Sequence, residues 1–182
     1  MSMSDIKKLG RKFRKDVIDT SDRLGMDAAL VKKDNIRDII TYLRDDEKLQ
    51  YNFLRDITCV DYHHRMPRFE IIYVLYSMSR KQQVVIKAVL EEDDPSIDSI
   101  HDLYGAANWG EREVWDMYGI KFKGHPDLRR ILMYEEFEGF PLRKDYDKTA
   151  SQPRIELLAQ ERNSVEEFKT FVKGKDTAGS RS

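Results

Sequence analysis

Cysteine is almost absent from this 182-residue chain: Cys59 is the only one. One thiol rules out an intrachain disulfide and an iron–sulfur cluster, which needs about four thiolates. Cys59 also sits in an apolar strand pattern, where a thiol behaves as a small core residue rather than a nucleophile. Long apolar runs are missing as well, and no stretch approaches the roughly 20 residues needed to span a bilayer. The N-terminus has basic residues but no apolar core of a secretory signal, and Asp5, Asp16 and Asp19 argue against a mitochondrial transit peptide. The chain is therefore expected to be intracellular. Charge of one sign is not in excess, with 32 Lys+Arg against 33 Asp+Glu, so a dedicated nucleic-acid binder is disfavoured. Phosphate-binding loops are lacking too. Gly105 and Gly110 have the right spacing, but Glu111-Arg112 follows where Lys and Ser/Thr are required. Gly119 and Gly124 fail in the same way at His125-Pro126, and no GxGxxG occurs.

What is present is patterned as one α+β domain. Residues 5 to 24 place Ile6, Leu9, Phe13 and Val17 at helical spacing among Lys7, Lys8, Arg11, Lys12, Arg14 and Lys15. This predicts a frayed, solvent-exposed basic helix, with docking to a membrane surface as the other reading. Ile36, Ile39, Ile40 and Leu43 predict a helix of about three turns. Leu49, Tyr51, Phe53, Ile57 and Cys59 share one parity, interrupted by Leu54, as in a strand with an irregular start. Phe69 to Tyr76 reads as a central strand buried on both faces, hairpinned to Val84–Leu90. Asp94-Pro95 predicts a helix start, with Ile97, Ile100, Tyr104 and Ala107 on one face. The expected fold is a single domain with a mixed, largely antiparallel sheet covered by helices, plus an extended C-terminal tail. Its segments are a basic leader over 1–26, the domain over 27–148, and a linker, short helix (155–171) and disordered end over 149–182.

The densest stretch runs from Asn108 to Asp147. It holds both tryptophans, contains no cysteine, serine or threonine, and interleaves charges of both signs. Asn108 and Glu111 have capping-box spacing, and Gly119 stands where a left-handed C-cap is expected. Ile120 and Phe122 predict a short strand. Pro126 and Asp127 predict a new short helix carrying Arg129-Arg130. Candidate chemistry here is thin. Glu111, Glu113 and Asp116 read as a salt-bridged surface rather than acid–base machinery. Asp61, His63 and His64, with His101 or His125, read as polar turn residues rather than metal ligands, since adjacent histidines on a strand point apart. Arg129-Arg130 and Arg143-Lys144, interleaved with Tyr134, Phe137, Phe140 and Tyr146, have the aromatic-plus-arginine composition of an interface core.

The motifs GAANW (Gly105 to Trp109), EREVWDMYGI, GHPDLRRIL and PLRKDY closely resemble the C subunit of proton-pumping NADH:quinone oxidoreductase, respiratory complex I. A weaker likeness runs upstream through DITCVDY, RFEIIYVLYS and EEDDP, covering roughly residues 27 to 148. The resemblance implies a cofactor-free structural subunit of the hydrophilic arm, supporting electron transfer from NADH to quinone coupled to proton translocation. It implies flavin and iron–sulfur clusters on partner subunits, packing against the D and B subunits, and a peripheral place on the cytoplasmic side of the inner membrane. No catalytic, cofactor-binding or metal-binding residue is carried over. The expected partner contacts are Glu111, Arg112, Trp115, His125, Asp127, Arg129, Arg130, Arg143, Lys144 and Asp145. A homologous subunit of a membrane-bound nickel–iron hydrogenase or related ferredoxin-linked complex is the alternative, and a stand-alone RNA-binding module the other rival.

Overall fold

The computed structural model describes residues 3–23 and 26–153; the short helix and disordered end expected beyond Pro153 lie outside the described residues. Helix α1 (Met3–Lys12) leads into strands β1 (Val17–Arg23) and β2 (Met26–Lys32), then helix α2 (Ile36–Asp45). Strands β3 (Phe53–Asp61), β4 (Phe69–Ser77) and β5 (Gln82–Leu90) follow, then β6 (Ser96–Asp98), helix α3 (Ala107–Tyr118) and β7 (Lys121–Lys123). The main sheet has the order β1-β2-β5-β4-β3. Its β2–β5 pair is parallel and the other three pairs are antiparallel. The α+β reading holds. The described residues up to Ala150 fall in one compact unit.

Side-chain alternation decides which sheet face is covered. Ala29, Val31, Ile71, Tyr73, Leu75, Val84, Ile86 and Ala88 project to one face and are buried with Ile36, Ile39, Ile40 and Leu43 of α2. On the other face Ile72, Val74 and Tyr76 are only half-buried, so β4 is not sealed on both faces as its composition suggested. In β3 the ladder slips between Leu54 and Asp56. The extra residue switches parity, so Leu54, Ile57 and Cys59 point inward while Phe53, expected inside, is 49% exposed.

Three expectations need correction. The leader is not frayed: Ile6 and Leu9 belong to the core, and Asp5 is buried, accepting from the Tyr51 hydroxyl (3.1 Å) and pairing with Arg80 (2.7 Å). The helix stops at Lys12, and Val17 begins β1 instead of continuing the helical face. Residues 3–23 thus supply a packed helix and an edge strand to the same unit. Second, no helix starts at Asp94. Ser96–Asp98 forms β6, which pairs in parallel with Lys121–Lys123, and turns follow as far as Ala106. Ile97, Ile100, Tyr104 and Ala107 are all buried, but from strand, turn and helix in succession. Third, residues 124–147 contain neither helix nor strand, so Pro126 starts nothing regular.

Candidate docking surface

Residues 124–147 form a strap that returns over α3 and the end of the main sheet. A backbone with no secondary structure must satisfy its N–H and C=O groups elsewhere. Here charged side chains do that at two anchor points.

The first anchor is Asp116 on α3, whose side chain is fully buried. Its Oδ2 accepts from the N–H groups of Ile131, Leu132 and Met133 at 3.1, 2.8 and 2.9 Å. Its Oδ1 accepts from Arg130 Nη1 at 2.7 Å. Burial pushes this carboxyl up, but the Met133 N–H, the Arg130 guanidinium and the Leu132 and Ile131 N–H groups outweigh it and hold the pKa below the ordinary value. Arg130 Nη2 donates onward to the carbonyls of Phe137 (2.7 Å) and Gly139 (3.0 Å), closing the strap into a loop around its guanidinium. Arg112, also nearly buried, donates to the carbonyls of Arg129 (3.2 Å) and Arg130 (3.1 Å).

The second anchor is at the sheet end. Asp61, its side chain inaccessible, takes a two-pronged contact from Arg68 Nε (2.9 Å) and Nη2 (2.8 Å), and the Lys144 N–H at 2.8 Å. Arg68 also reaches Glu92 and, at 2.7 Å, Asp145. Burial raises the Asp61 pKa, yet Arg68 and the Lys144 N–H outweigh that and leave it lowered. Between the anchors Arg143 donates from Nε to the Tyr118 carbonyl and lies over the rings of Phe69 (5.2 Å) and Phe140 (5.0 Å). Burial, the nearby Arg68 guanidinium adding to it, pulls the Arg143 pKa below its usual value. Gly119 ends α3 with φ +75°, as its position suggested, and the Phe140 ring occupies the space where a Cβ would stand, 2.5 Å away.

The residues expected to meet a partner therefore divide. Glu111 does not face outward: it is fully buried and accepts from Ser99 Oγ and the Ile100 N–H (2.7 Å), not from a helix-capping Asn108. No side chain caps the start of α3. Glu111 and Asp116 are thus core groups, and only Glu113 of that acidic trio is exposed. Arg112 donates to strap carbonyls, Arg130 to Asp116 and strap carbonyls, and Arg143 to the Tyr118 carbonyl at the end of α3. Asp145 is committed to Arg68. Trp115 is half-buried with the Arg130 guanidinium 5.8 Å from its ring. His125 accepts the Asp127 N–H at Nδ1 (3.1 Å), which leaves Nε2 to donate to the Asn108 carbonyl (3.1 Å). Desolvation, with His101 and Arg112 nearby, lowers its pKa and keeps it neutral. Arg129, 68% exposed and paired among the described residues with exposed Asp127 alone, projects outward, as does Lys144.

Composition did not single out the exposed apolar side chains Leu132, Leu142 and Trp109. Leu132 and Leu142 lie within the strap, where the Leu132 N–H donates to Asp116 and Leu142 precedes Arg143, while Trp109 lies on α3 with the Arg112 guanidinium 5.2 Å from its ring. Cys59 is buried and its thiol is pushed up to about 12 by burial, so it is unreactive at neutral pH. No group of three or more His, Cys, Asp or Glu suited to a metal ion occurs among the described residues, and no described helix is long and apolar enough to cross a membrane. The arrangement can present a rigid surface.

Residues 29–152 match the family described as respiratory-chain NADH dehydrogenase, 30 kDa subunit. The C subunit of the NADH-quinone oxidoreductase of Citrifermentans bemidjiense is 48% identical over 139 residues, covering 76% of this chain and 85% of that protein. Its counterpart in Rhizobium etli is 48% identical over 122 residues, 67% of this chain and 65% of that one. Among solved structures, a trypsin-resistant fragment (1–134) of Nqo5 superposes with a TM-score of 0.62 at 28% identity, over 70% of this chain and all of that fragment. A chain of the archaeal membrane-bound sulfane sulfur reductase shares the fold, with a TM-score of 0.66 at 22% identity over 89% of each chain.

Proposed function

The chain belongs to the family of the 30 kDa subunit of respiratory-chain NADH dehydrogenase, the C subunit of NADH-quinone oxidoreductase, and on that premise we propose that it is a cofactor-free structural part of the complex's hydrophilic arm. In this reading the complex carries electrons from NADH to quinone, coupled to proton translocation. This subunit holds its neighbours, the D and B subunits, in place from the cytoplasmic side of the membrane. The supporting observation is the strap: about two dozen residues without regular structure, fixed by buried carboxylate and guanidinium anchors while Arg129, Leu132 and Leu142 are left outside. Pre-ordering a surface before it meets a partner removes part of the entropic cost of association. A strap that served only to cover the core would not need to hold apolar side chains in solvent.

The test is to purify the native complex through a tag on this chain and identify the proteins that co-elute. The D and B subunits should appear, with flavin and iron on the co-eluting proteins and none on this chain when it is purified alone. Co-elution of hydrogenase subunits, or of RNA, would replace the reading with one of its rivals.

A further inference from the structure

Three carboxyl groups on or beside α3 are fully buried: Asp61, Asp116 and Glu111. The first two each hold a guanidinium. Glu111 makes no ion pair with any described residue; its partners are one hydroxyl and one backbone N–H. A carboxylate taken out of water without a cation is strongly disfavoured, and such a group neutralises by keeping its proton. The nearest cation on α2, Arg37, is occupied by Asp102 and the Ser99 carbonyl.

The hydrogen count along the chain of contacts is informative. Ser99 Oγ lies between Glu111 Oε2 and His101 Nδ1, 3.0 Å from the latter, and also accepts the His101 N–H at 3.2 Å. A hydroxyl has a single proton to donate. With Glu111 ionised, Ser99 donates to the carboxylate, and His101 must carry its proton on Nδ1. With Glu111 protonated, the acid donates to Ser99, whose own proton can turn to Nδ1. The two states interconvert by moving two protons one step each, with no heavy atom displaced. His101 is half-buried and opens toward the strap, its ring 5.8 Å from that of His125.

We propose that Glu111, Ser99 and His101 form a proton-binding site, in which the buried carboxyl holds a proton and exchanges it with solvent through the Ser99 hydroxyl and the His101 imidazole. In the transfer, the Glu111 O–H bond breaks as a Ser99 O–H bond forms, and the original Ser99 proton passes to His101 Nδ1. The products are a carboxylate and an imidazolium, which then releases its Nε2 proton to water. Other groups facing the site do not compete. Tyr73 on β4 is fully buried without a hydrogen-bond partner, and desolvation followed by the Glu111 charge pushes its phenol well above its usual range. Desolvation outweighs the Asn108 hydrogen bond and holds the His125 pKa below its usual value, and Asp102 is pinned low by Arg37. Burial, opposed by Ser99 and the Ile100 N–H, raises the Glu111 pKa to about 7, so the site exchanges its proton in the neutral range.

The experiment is a pH titration of the full chain by carbon-detected NMR of the Glu side-chain carboxyls, assigned with Glu111→Gln. Glutamine can accept from Ile100 and donate to Ser99, so that variant keeps the fold. One carboxyl resonance should titrate with a midpoint near 7 and vanish in E111Q. Ser99→Ala removes a donor to the ionised form and should move the midpoint upward by about one unit or more. The proposal is overturned if Glu111 titrates in the ordinary range near 4.5. It is equally overturned if Ser99→Ala leaves the midpoint in place. Should Ser99→Ala not fold, His101→Phe takes its place: slowed proton exchange at Glu111, seen as line broadening near the midpoint, supports the relay, and unchanged exchange refutes it.

Discussion

Arg129 and Arg130 are neighbours with opposite predicted fates. Arg130 has a side chain 12% exposed and meets fully buried Asp116 at 2.7 Å, with further bonds to the Phe137 and Gly139 carbonyls. Replacing it by alanine leaves a buried carboxylate with three backbone donors but no counter-charge, and two strap carbonyls without their donor. Removing one partner of a buried pair costs about 3–5 kcal/mol, because the other charge stays desolvated. The three N–H groups still solvate Asp116, so the lower end, about 3 kcal/mol, is expected. For a unit of this size that lowers the melting temperature by on the order of 10 °C. Arg129→Ala, by contrast, removes a charge that is 68% exposed and should change stability by less than about 1 kcal/mol. Thermal and urea denaturation of the isolated protein, read by circular dichroism, compares the two directly. Equal melting temperatures for Arg130→Ala and wild type would refute the anchoring role of Arg130 and return both arginines to the surface.

Acid should loosen the strap. Asp116 and Asp61 have folded pKa values below the ordinary value of 3.8, so their contribution is complete above that pH and lost as pH falls through the lowered values; cleavage within 124–147 by an acid protease should rise there before the core unfolds. Glu111 works the other way. With its pKa raised from 4.5 to about 7, stability should fall as pH rises across that window, by on the order of 3 kcal/mol, and the decline should flatten in Glu111→Gln as followed by denaturation midpoints. Gly119→Ala places a methyl against the Phe140 ring and a non-glycine residue at φ +75°, so a loss of at least about 2 kcal/mol and faster strap proteolysis are expected. Leu9→Ala should cost about 2–5 kcal/mol, a loss that an exposed leader would not show in a melting curve.

Much of the fold was readable because two patterns are local. The periodicity of Ile36 to Leu43 marked α2, and the hairpin of β4 and β5 followed from two apolar strands about a turn. Gly119 announced its left-handed conformation for the same reason. Long-range pairing hid the rest. Ser96–Asp98 has backbone partners in Lys121–Lys123, two dozen residues on, and that pairing overrode a plausible helix start at Asp94-Pro95. Leu9 is buried because Tyr51 and Arg80 receive Asp5, contacts that no local window contains. At the strap, residue types identified the region but not the direction each side chain faces. Arg112, Arg130 and Arg143 look like interface arginines in composition, and Asp116 and backbone carbonyls claim them instead. The exposed leucines beside them carried no signal, since an isolated leucine in a charged stretch is ordinary.

If the strap is a preformed docking surface, its outward residues bind and its inward residues only hold it. Leu132→Asp combined with Leu142→Asp tests this most directly, with a tag on the full chain in cells and the yield of assembled complex measured alongside the melting temperature of the isolated protein. The expected result is an unchanged melting temperature, a sharp fall in co-purifying NADH-quinone oxidoreductase subunits, and normal quinone-reductase turnover in whatever complex still forms. Full assembly at wild-type yield would contradict it.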